Sequence, residues 1–298
     1  MGLPPLLREG LDAALTDLGA GSVQSLRPVH GGCIHNGSRV ESSSGELFFL
    51  KWSPGTSPDV FAAEAEGLNA LREAAGRLRV PEVRAISGDP EQLGWLLMEF
   101  IEPGRAAPDF FQRLGTGLAE VHAQGADRTF GWTRDNWIGS LGQDNTPTES
   151  WADFWLHSRL GVQLELGRRA GHVHDRIFDE VCDRLHEAIG DVSTPSLLHG
   201  DLWSGNVIAD SNGDPVLIDP AVYLGHGEVD LAMTDLFGGF DPAFMQAYRA
   251  ERPIHPAYAE MLRDLYQLYY LLVHVNLFGS SYEAGSLKAA QRVIAALG

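Results

Sequence analysis

Lysine is almost missing from this chain of 298 residues: it occurs only as Lys51 and Lys288, and arginine fills every other basic position. Basic side chains are scarce as a class, 22 Lys and Arg against 40 Asp and Glu, and the net charge of −18 argues against nucleic acid or an anionic membrane as a partner. A nucleotide is not excluded, since a metal-bound triphosphate needs only a few local positive groups. Cysteine is equally rare, and Cys33 and Cys182 make no disulfide framework and fit no zinc spacing, which points to a reducing compartment. The start, "MGLPPLLREGLDAAL", lacks a basic segment followed by an apolar one, and Leu6 breaks the acylation pattern, so a cytoplasmic protein is expected. Long apolar runs are lacking too: "LYQLYYLLVHVNLF" is too short for a membrane span, is interrupted by Gln267, His274 and Asn276, and reads as a core helix.

What remains is a folded globular chain, 44% hydrophobic and 21% charged without low-complexity segments, long enough for two lobes sharing a cleft. A helix is predicted over 3–18, then β-rich stretches around 22–28 and 36–42 and at "ELFFLKW". "SPDVFAAEAEGLNALREAAG" has a Ser-Pro start, helix formers and a terminal glycine, a complete helix signature. Two more strands are expected, over 83–86 and at "GWLLMEFIE". Beyond Pro103 the pattern turns helical, over 109–123, 151–166, 175–189, 242–250 and 258–278. A strand-rich first third followed by helices predicts an α+β fold of two lobes, 1–102 and 103–298, hinged near 102–104.

The segment "SLLHGDLWSGNVI" packs polar groups between two apolar ends, and His199, Asp201, Leu202 and Asn206 fall on the kinase catalytic-loop frame H-R-D-L-x-x-x-N, with Gly200 in place of the arginine. Phosphoryl transfer needs the phosphates held, a metal placed and the attacking hydroxyl oriented. The parts occur here in order. A glycine turn, "HGGCIHNG", with Gly31, Gly32 and Cys33 placed to cover phosphates, precedes a strand ending in Lys51; Glu64 follows on a helix, Asp201 and Asn206 in the loop, and Asp219 after the strand of "VLIDP". In a chain so poor in lysine, Lys51 suggests a compact ammonium needed as a point contact to phosphate rather than a solvated strand end. Glu64 and Glu66 compete to be its partner; Phe61, Ala65 and Leu68 form the apolar stripe, which puts Glu64 beside it and turns Glu66 away.

Asp201 can take the hydroxyl proton while Asn206 and Asp219 supply hard oxygen ligands for Mg2+. His199 is read as structural. In "LLMEFIE", Met98 is expected to wall the adenine pocket, with backbone groups of Glu99 and Ile101 at the adenine edge. Asp230 either caps a helix or braces the catalytic loop. His172 and His174 are not read as metal ligands, because i and i+2 diverge on a helix. Trp132, Asn136 and Trp137 form an aromatic-polar loop that either lines a substrate site or packs as structure.

Together "LLHGDLWSGNV", "FLKW", "FAAEAEGLNAL", "LLMEFIE", "FGWTRDNWIG", "GHGEVDLAMTDLFGGF" and "LYQLYYLLVHVNLFGSSY" resemble the fructosamine/ketosamine-3-kinase family, itself related to aminoglycoside and choline kinases. The resemblance runs over 29–282 and rests most on the Trp203-Ser204-Gly205 filling of the loop and the last two motifs. It implies a protein-kinase-like bilobal fold and ATP-dependent phosphorylation of the 3-hydroxyl of a ketoamine, free or on a glycated protein. It also implies a repair role, because a 3-phosphorylated ketoamine is unstable and releases its amine. On this resemblance Asp201 is the base, Asn206 and Asp219 the Mg2+ ligands, Lys51 the phosphate contact and Glu64 its partner. Trp203 and His226, with Trp132 and Asn136, are the expected substrate residues. Gly227 departs from relatives that carry a larger, often basic residue beside His226. The competing readings are a kinase for another small hydroxyl compound and a nucleotide-binding protein without catalysis, although every catalytic position holds a competent residue. A monomer is expected, with a redox-linked dimer open through Cys33 on its phosphate-covering hairpin.

Overall fold

The computed structural model describes residues 3–29, 36–87 and 93–298. Gly31, Gly32 and Cys33 lie outside the described residues. The chain opens with α1 (Pro5–Asp17), whose Leu7, Leu11 and Leu15 recur at helical spacing and are buried. Then come β1 (Val23–Val29), β2 (Asn36–Ser42), β3 (Leu47–Trp52), α2 (Pro58–Ala74), β4 (Val83–Ile86) and β5 (Trp95–Glu99). The strands form one antiparallel sheet in the order β1-β2-β3-β5-β4. Strand alternation divides its side chains. Phe48, Leu50, Trp95 and Leu97 pack with the leucines of α1, while Leu96 and Met98 join a second core that includes α2 and the helical lobe. Lys51, in register between Gly37 and Leu96, has the parity of this second face. Helix α2 begins as its sequence demands, with Ser57 accepting from the Asp59 N–H and Pro58 in the first turn.

After β5 the chain is pinned directly to the helical lobe. Pro103 bridges Asp210, and the Gly104 N–H donates to Ala209 O at 2.9 Å. A Cβ at Gly104 would lie 2.1 Å from Asp210 O, so this close crossing requires glycine. Arg79 adds a side-chain clamp, pairing with Glu99 beside the crossing and donating to the buried Asp210 at 2.6 Å.

The second lobe begins with α3 (Phe110–His122), a hairpin of β6 (Asn136–Ile138) and β7 (Leu141–Gln143), and α4 (Trp151–Phe154), which runs through a π-helical segment, Trp155–Leu160, into α5 (Gly161–Arg169). Then follow α6 (Ile177–Asp183), α7 (Leu185–Ile189), β8 (Ser196–Leu198), β9 (Val207–Ala209), β10 (Pro215–Leu217), β11 (Tyr223–Gly225) and α8 (Glu228–Leu236). The chain closes with α9 (Pro242–Glu251), α10 (Arg263–Phe278) and α11 (Glu283–Leu297). Two small antiparallel ladders, β9 with β10 and β8 with β11, frame the catalytic loop.

The α+β, two-lobed expectation holds, with corrections in detail. The helix expected over 175–189 is two helices broken at Arg184, and the one over 258–278 starts as a π-helical segment, Tyr258–Leu262. The β6–β7 hairpin and α11 were not anticipated. Residues 172–175 form a loop rather than a helix, where His172 pairs with Glu283 at 2.7 Å and His174 bonds Gly171 O. Among the described residues no group of three or more His, Cys, Asp and Glu side chains is arranged to hold a metal ion. Nor is any helix of the described residues long and apolar enough to cross a membrane.

Candidate active site

The loop between β8 and β9 is held from beneath by Asp230 on α8. Its Oδ2 accepts from the His199 N–H at 2.7 Å, and its Oδ1 from the Gly200 N–H at 2.9 Å. Asp230 therefore braces the loop; it sits inside the first turn of α8 rather than capping it. Tyr270 donates to Gly200 O at 2.8 Å, so both backbone polar groups of Gly200 are fixed. Gly200 itself has φ +82°, and a Cβ there would strike Ala221 O at 2.0 Å, which explains why glycine replaces the arginine of the frame.

His199 is structural, as expected. Its Nε2 lies 2.9 Å from Ile218 O and its Nδ1 accepts from the Asp201 N–H at 3.3 Å, a pattern that a neutral Nε2–H tautomer satisfies. Burial holds its imidazolium form down. The brace extends to residues that the sequence reading passed over. His122 on α3 lies with Nε2 3.1 Å from Asp230 Oδ2 and Nδ1 2.8 Å from the Tyr248 hydroxyl. Burial likewise keeps His122 neutral, so Nε2–H donates to Asp230 and Nδ1 accepts from Tyr248. Their only sequence signal was weak: a histidine ending an amphipathic helix and a tyrosine on a distant one.

Asp201 and Asn206 meet above this base. Asn206 Nδ2 lies 2.8 Å from Asp201 O and 3.1 Å from Asp201 Oδ2, and 3.4 Å from Asp219 O. With its NH2 turned to Asp201, Asn206 has its amide oxygen to offer a hard cation. Burial pushes the Asp201 carboxyl up to about 7, the Asn206 hydrogen bond works against this, and Asp219 and Asp230 reinforce it. A carboxylate tuned this way can accept a hydroxyl proton at neutral pH.

Lys51 Nζ donates to Glu64 Oε1 at 2.7 Å and to Asp219 Oδ1 at 3.0 Å. Burial alone would favour the neutral amine, but Asp219 and Glu64 outweigh it, and the ammonium is held above its ordinary range. Asp219 has φ +54°, a left-handed conformation uncommon for a non-glycine residue, and it is held between the two lobes. The Asn206 amide oxygen and the Asp219 carboxylate are hard oxygen donors of the kind that suits a magnesium ion.

Glu66 has a different duty: its Oε1 accepts from Trp132 Nε1 at 2.9 Å and from Thr133 Oγ1 at 2.5 Å, tying α2 to the second lobe. The apolar stripe of α2 fixes the helix rotation, and Glu64 rather than Glu66 faces Lys51.

Between the lobes lies a cavity of about 370 Å³ with Val29, Phe49, Leu68, Met98, Ile208 and Ile218 among its walls and Lys51 and Asp219 at its polar part. Glu99 and Ile101 also line it, where backbone groups of the lobe crossing can meet a planar heterocycle. Met98, Glu99 and Ile101, expected around an adenine, all line this cavity. Trp203, half-buried, folds over Gly205 and meets Phe237 edge to face at 6.5 Å, beside Asp201.

Three expected substrate residues fall elsewhere. Trp132 spends its N–H on Glu66. Asn136 is buried, donating to Val222 O at 2.8 Å and accepting from Gln143 at 2.9 Å, so its amide is committed to holding the hairpin. His226 is also buried; its Nδ1 lies 2.8 Å from the Tyr266 hydroxyl, and it lines a separate cavity. Gly227 is no substrate rim either, since a Cβ there would lie 2.8 Å from His122 Nδ1; the glycine lets α8 approach the loop brace.

A two-lobed α+β fold with a lysine–glutamate pair, a base-bearing loop and a following aspartate, all facing one interlobe cavity, defines a kinase-like phosphotransferase. The sequence model of the fructosamine kinase family matches residues 12–296, and the chain belongs to that family. A probable ketoamine kinase of Synechocystis is 43% identical over 263 residues, 88% of this chain and 87% of its own length. The chloroplastic protein-ribulosamine 3-kinase of Arabidopsis thaliana is 38% identical over 292 residues, 95% of this chain and 84% of its own. Among solved structures, a Thermobifida fusca protein described as a fructosamine-3-kinase superposes with TM-score 0.85 at 33% identity, covering 96% of this chain and 98% of its own. An aminoglycoside phosphotransferase in complex with ADP and hygromycin B shares the fold alone, with TM-score 0.63 at 16% identity over 97% of this chain and 98% of its own.

Proposed function

We propose that this enzyme phosphorylates the 3-hydroxyl of ketosamines of the fructosamine or ribulosamine type, using ATP, with release of the amine as the consequence. The match to the fructosamine kinase family along nearly the whole chain carries this reading. The names of its ketoamine and ribulosamine kinase relatives support the acceptor class. Residues 1–102 serve as the nucleotide lobe and 103–298 as the catalytic and substrate lobe.

In this reading the adenine occupies the apolar end of the interlobe cavity and Lys51 contacts the phosphates. Asn206 and Asp219 hold magnesium, which when bound neutralises charge on the transferring phosphoryl group. Asp201 accepts the acceptor's hydroxyl proton as that oxygen bonds to the γ-phosphorus and ADP departs. Asn206 fixes the orientation of that carboxylate. Trp203, folded beside Asp201, gives the sugar an apolar face.

The deciding experiment incubates the enzyme and ATP-Mg2+ with free and protein-bound fructosamines and ribulosamines, and in parallel with an aminoglycoside and choline. Phosphate transfer to a ketosamine, with phosphate on the 3-oxygen by NMR, is expected. Transfer only to the aminoglycoside or choline would overturn the acceptor assignment, and ATP binding without transfer to any acceptor would favour a protein without catalysis.

A further inference from the structure

A second cavity, of about 290 Å³, opens behind the catalytic loop, walled by the first turn of α8 and the segment that follows α9. It shares no lining residue with the interlobe cavity. Its walls carry both signs of charge. Glu228 is only 4% exposed; its Oε1 accepts from the His255 N–H, while its Oε2 is buried without a hydrogen-bond partner among the described residues. Such an orphaned carboxylate oxygen is costly, and burial pushes the Glu228 carboxyl up to about 7.

Arg252 stands on the same cavity wall and donates from Nη2 to Ser196 Oγ at 2.9 Å. No ion pair within 4.0 Å joins Arg252 to Glu228 among the described residues, so the two charges share one cavity without neutralising each other directly. His226 supplies a further donor. Trp151 Nε1 donates to the Tyr266 oxygen at 3.1 Å, so the buried Tyr266 O–H goes to His226 Nδ1 at 2.8 Å. The proton of the neutral His226 is therefore on Nε2, 3.8 Å from Glu228 Oε1.

We propose that this cavity binds a small zwitterion of the α-amino acid class, its ammonium group on Glu228 and its carboxylate on Arg252. An ammonium beside the Glu228 carboxylate on the cavity wall offsets the charge that burial penalises. A carboxylate accepts from the guanidinium. A simple anion would leave Glu228 unpaired and a simple amine would leave Arg252 so; only a ligand with both ends answers both walls.

Occupancy bears on catalysis through Tyr248. That side chain lines the cavity and also belongs to the chain Tyr248–His122–Asp230, which holds the His199 and Gly200 amides. The amine freed from a glycated amino acid is of this same class, so on the proposed function the site senses the product of repair.

The test is calorimetric titration of the full chain with L-alanine in the presence of saturating ADP, with acetate and ethylamine as half-ligands. Saturable L-alanine binding is expected, weaker by roughly tenfold or more for either half-ligand, weaker by a like factor in Glu228→Gln, and lost in Arg252→Met. Arg252→Lys, which keeps the charge, should retain part of it, and unchanged ADP binding shows that each variant is folded. No saturable L-alanine binding, displacement by ADP, or equal binding by both variants overturns the site. This arm is independent of the acceptor assignment. ATP turnover with a ketosamine acceptor should then change in wild type on adding L-alanine and stay constant in Arg252→Met; binding without a change in turnover overturns the coupling.

Discussion

Asn206 reaches Asp201 twice, at its main-chain oxygen 2.8 Å away and at carboxylate Oδ2 3.1 Å away. The carboxylate is therefore aimed by an amide held in the same loop. Asp201→Asn keeps the size and the loop bonds but cannot accept a proton. Turnover should fall by roughly 10²–10⁴-fold while ATP affinity stays within a few-fold. Single-turnover kinetics beside nucleotide titration checks this, and near-normal turnover would remove Asp201 from the base's role.

The elevated Asp201 carboxyl fixes a pH dependence. Only the ionised form is a base, so kcat/KM should rise through pH about 7 to a plateau and fall on the acid side with the uptake of one proton. Stability runs the other way. A folded pKa of about 7 against the ordinary 3.8 makes the ionised group a cost that grows from about pH 4 to 7 and is complete above it. Asp201→Asn should accordingly melt higher than wild type at pH 8 and match it at pH 4. An acid limb near pH 4 would show that the carboxylate is not held as described.

Lys51 sits between two carboxylates with little room for a planar guanidinium. Lys51→Arg should lower kcat/KM by at least roughly a hundredfold despite keeping the charge. Lys51→Met leaves Glu64 buried and unpaired and should cost about 3–5 kcal/mol in denaturant unfolding, much of it recovered in Lys51→Met/Glu64→Gln. Equal stability of the single and double variants would mean that the pair is already solvated.

Gly200→Ala forces a Cβ onto Ala221 O at φ +82°. A loss of about 1–3 kcal/mol is expected, with turnover reduced more than nucleotide affinity, because the strain falls on the loop and not on the interlobe walls. Thermal melting and ADP titration of the variant measure the two effects.

Tyr248→Phe strips the donor from a buried histidine nitrogen. It should cost about 1–3 kcal/mol and depress kcat more than the KM for ATP. A variant with unchanged kcat would make the brace mere packing.

Most of the candidate site residues were legible in the sequence because each lies in a short local pattern. Phe61, Ala65 and Leu68 fix the rotation of α2 and so select Glu64; the spacing from His199 to Asn206 fixes the loop; a strand places Asp219. Of the loop's support only Asp230 could be read, as a cap or a brace; His122 and Tyr248 come from helices far apart in the chain and meet it only through tertiary packing. Asn136 was misread for a related reason. A polar residue in an aromatic loop resembles a binding group until its partners, Val222 O and Gln143, are known. Helix α11 has a regular buried face too, Ser286, Ala289, Ala290 and Val293, but mostly small residues mark it where leucines mark that of α1.

The burial of Lys51 has one further consequence. Sugars modify proteins by condensing with a neutral, accessible ε-amine. The Lys51 amine, proposed as the phosphate contact, is 8% exposed and held as an ammonium by Glu64 and Asp219, so it is a poor nucleophile. The other ε-amine, that of Lys288, is exposed on α11, away from the cleft. With arginine at every other basic position, a catalyst that works on glycated amines presents sugars with almost no lysine of its own to glycate, and the one in its cleft is held in a form that does not condense with them.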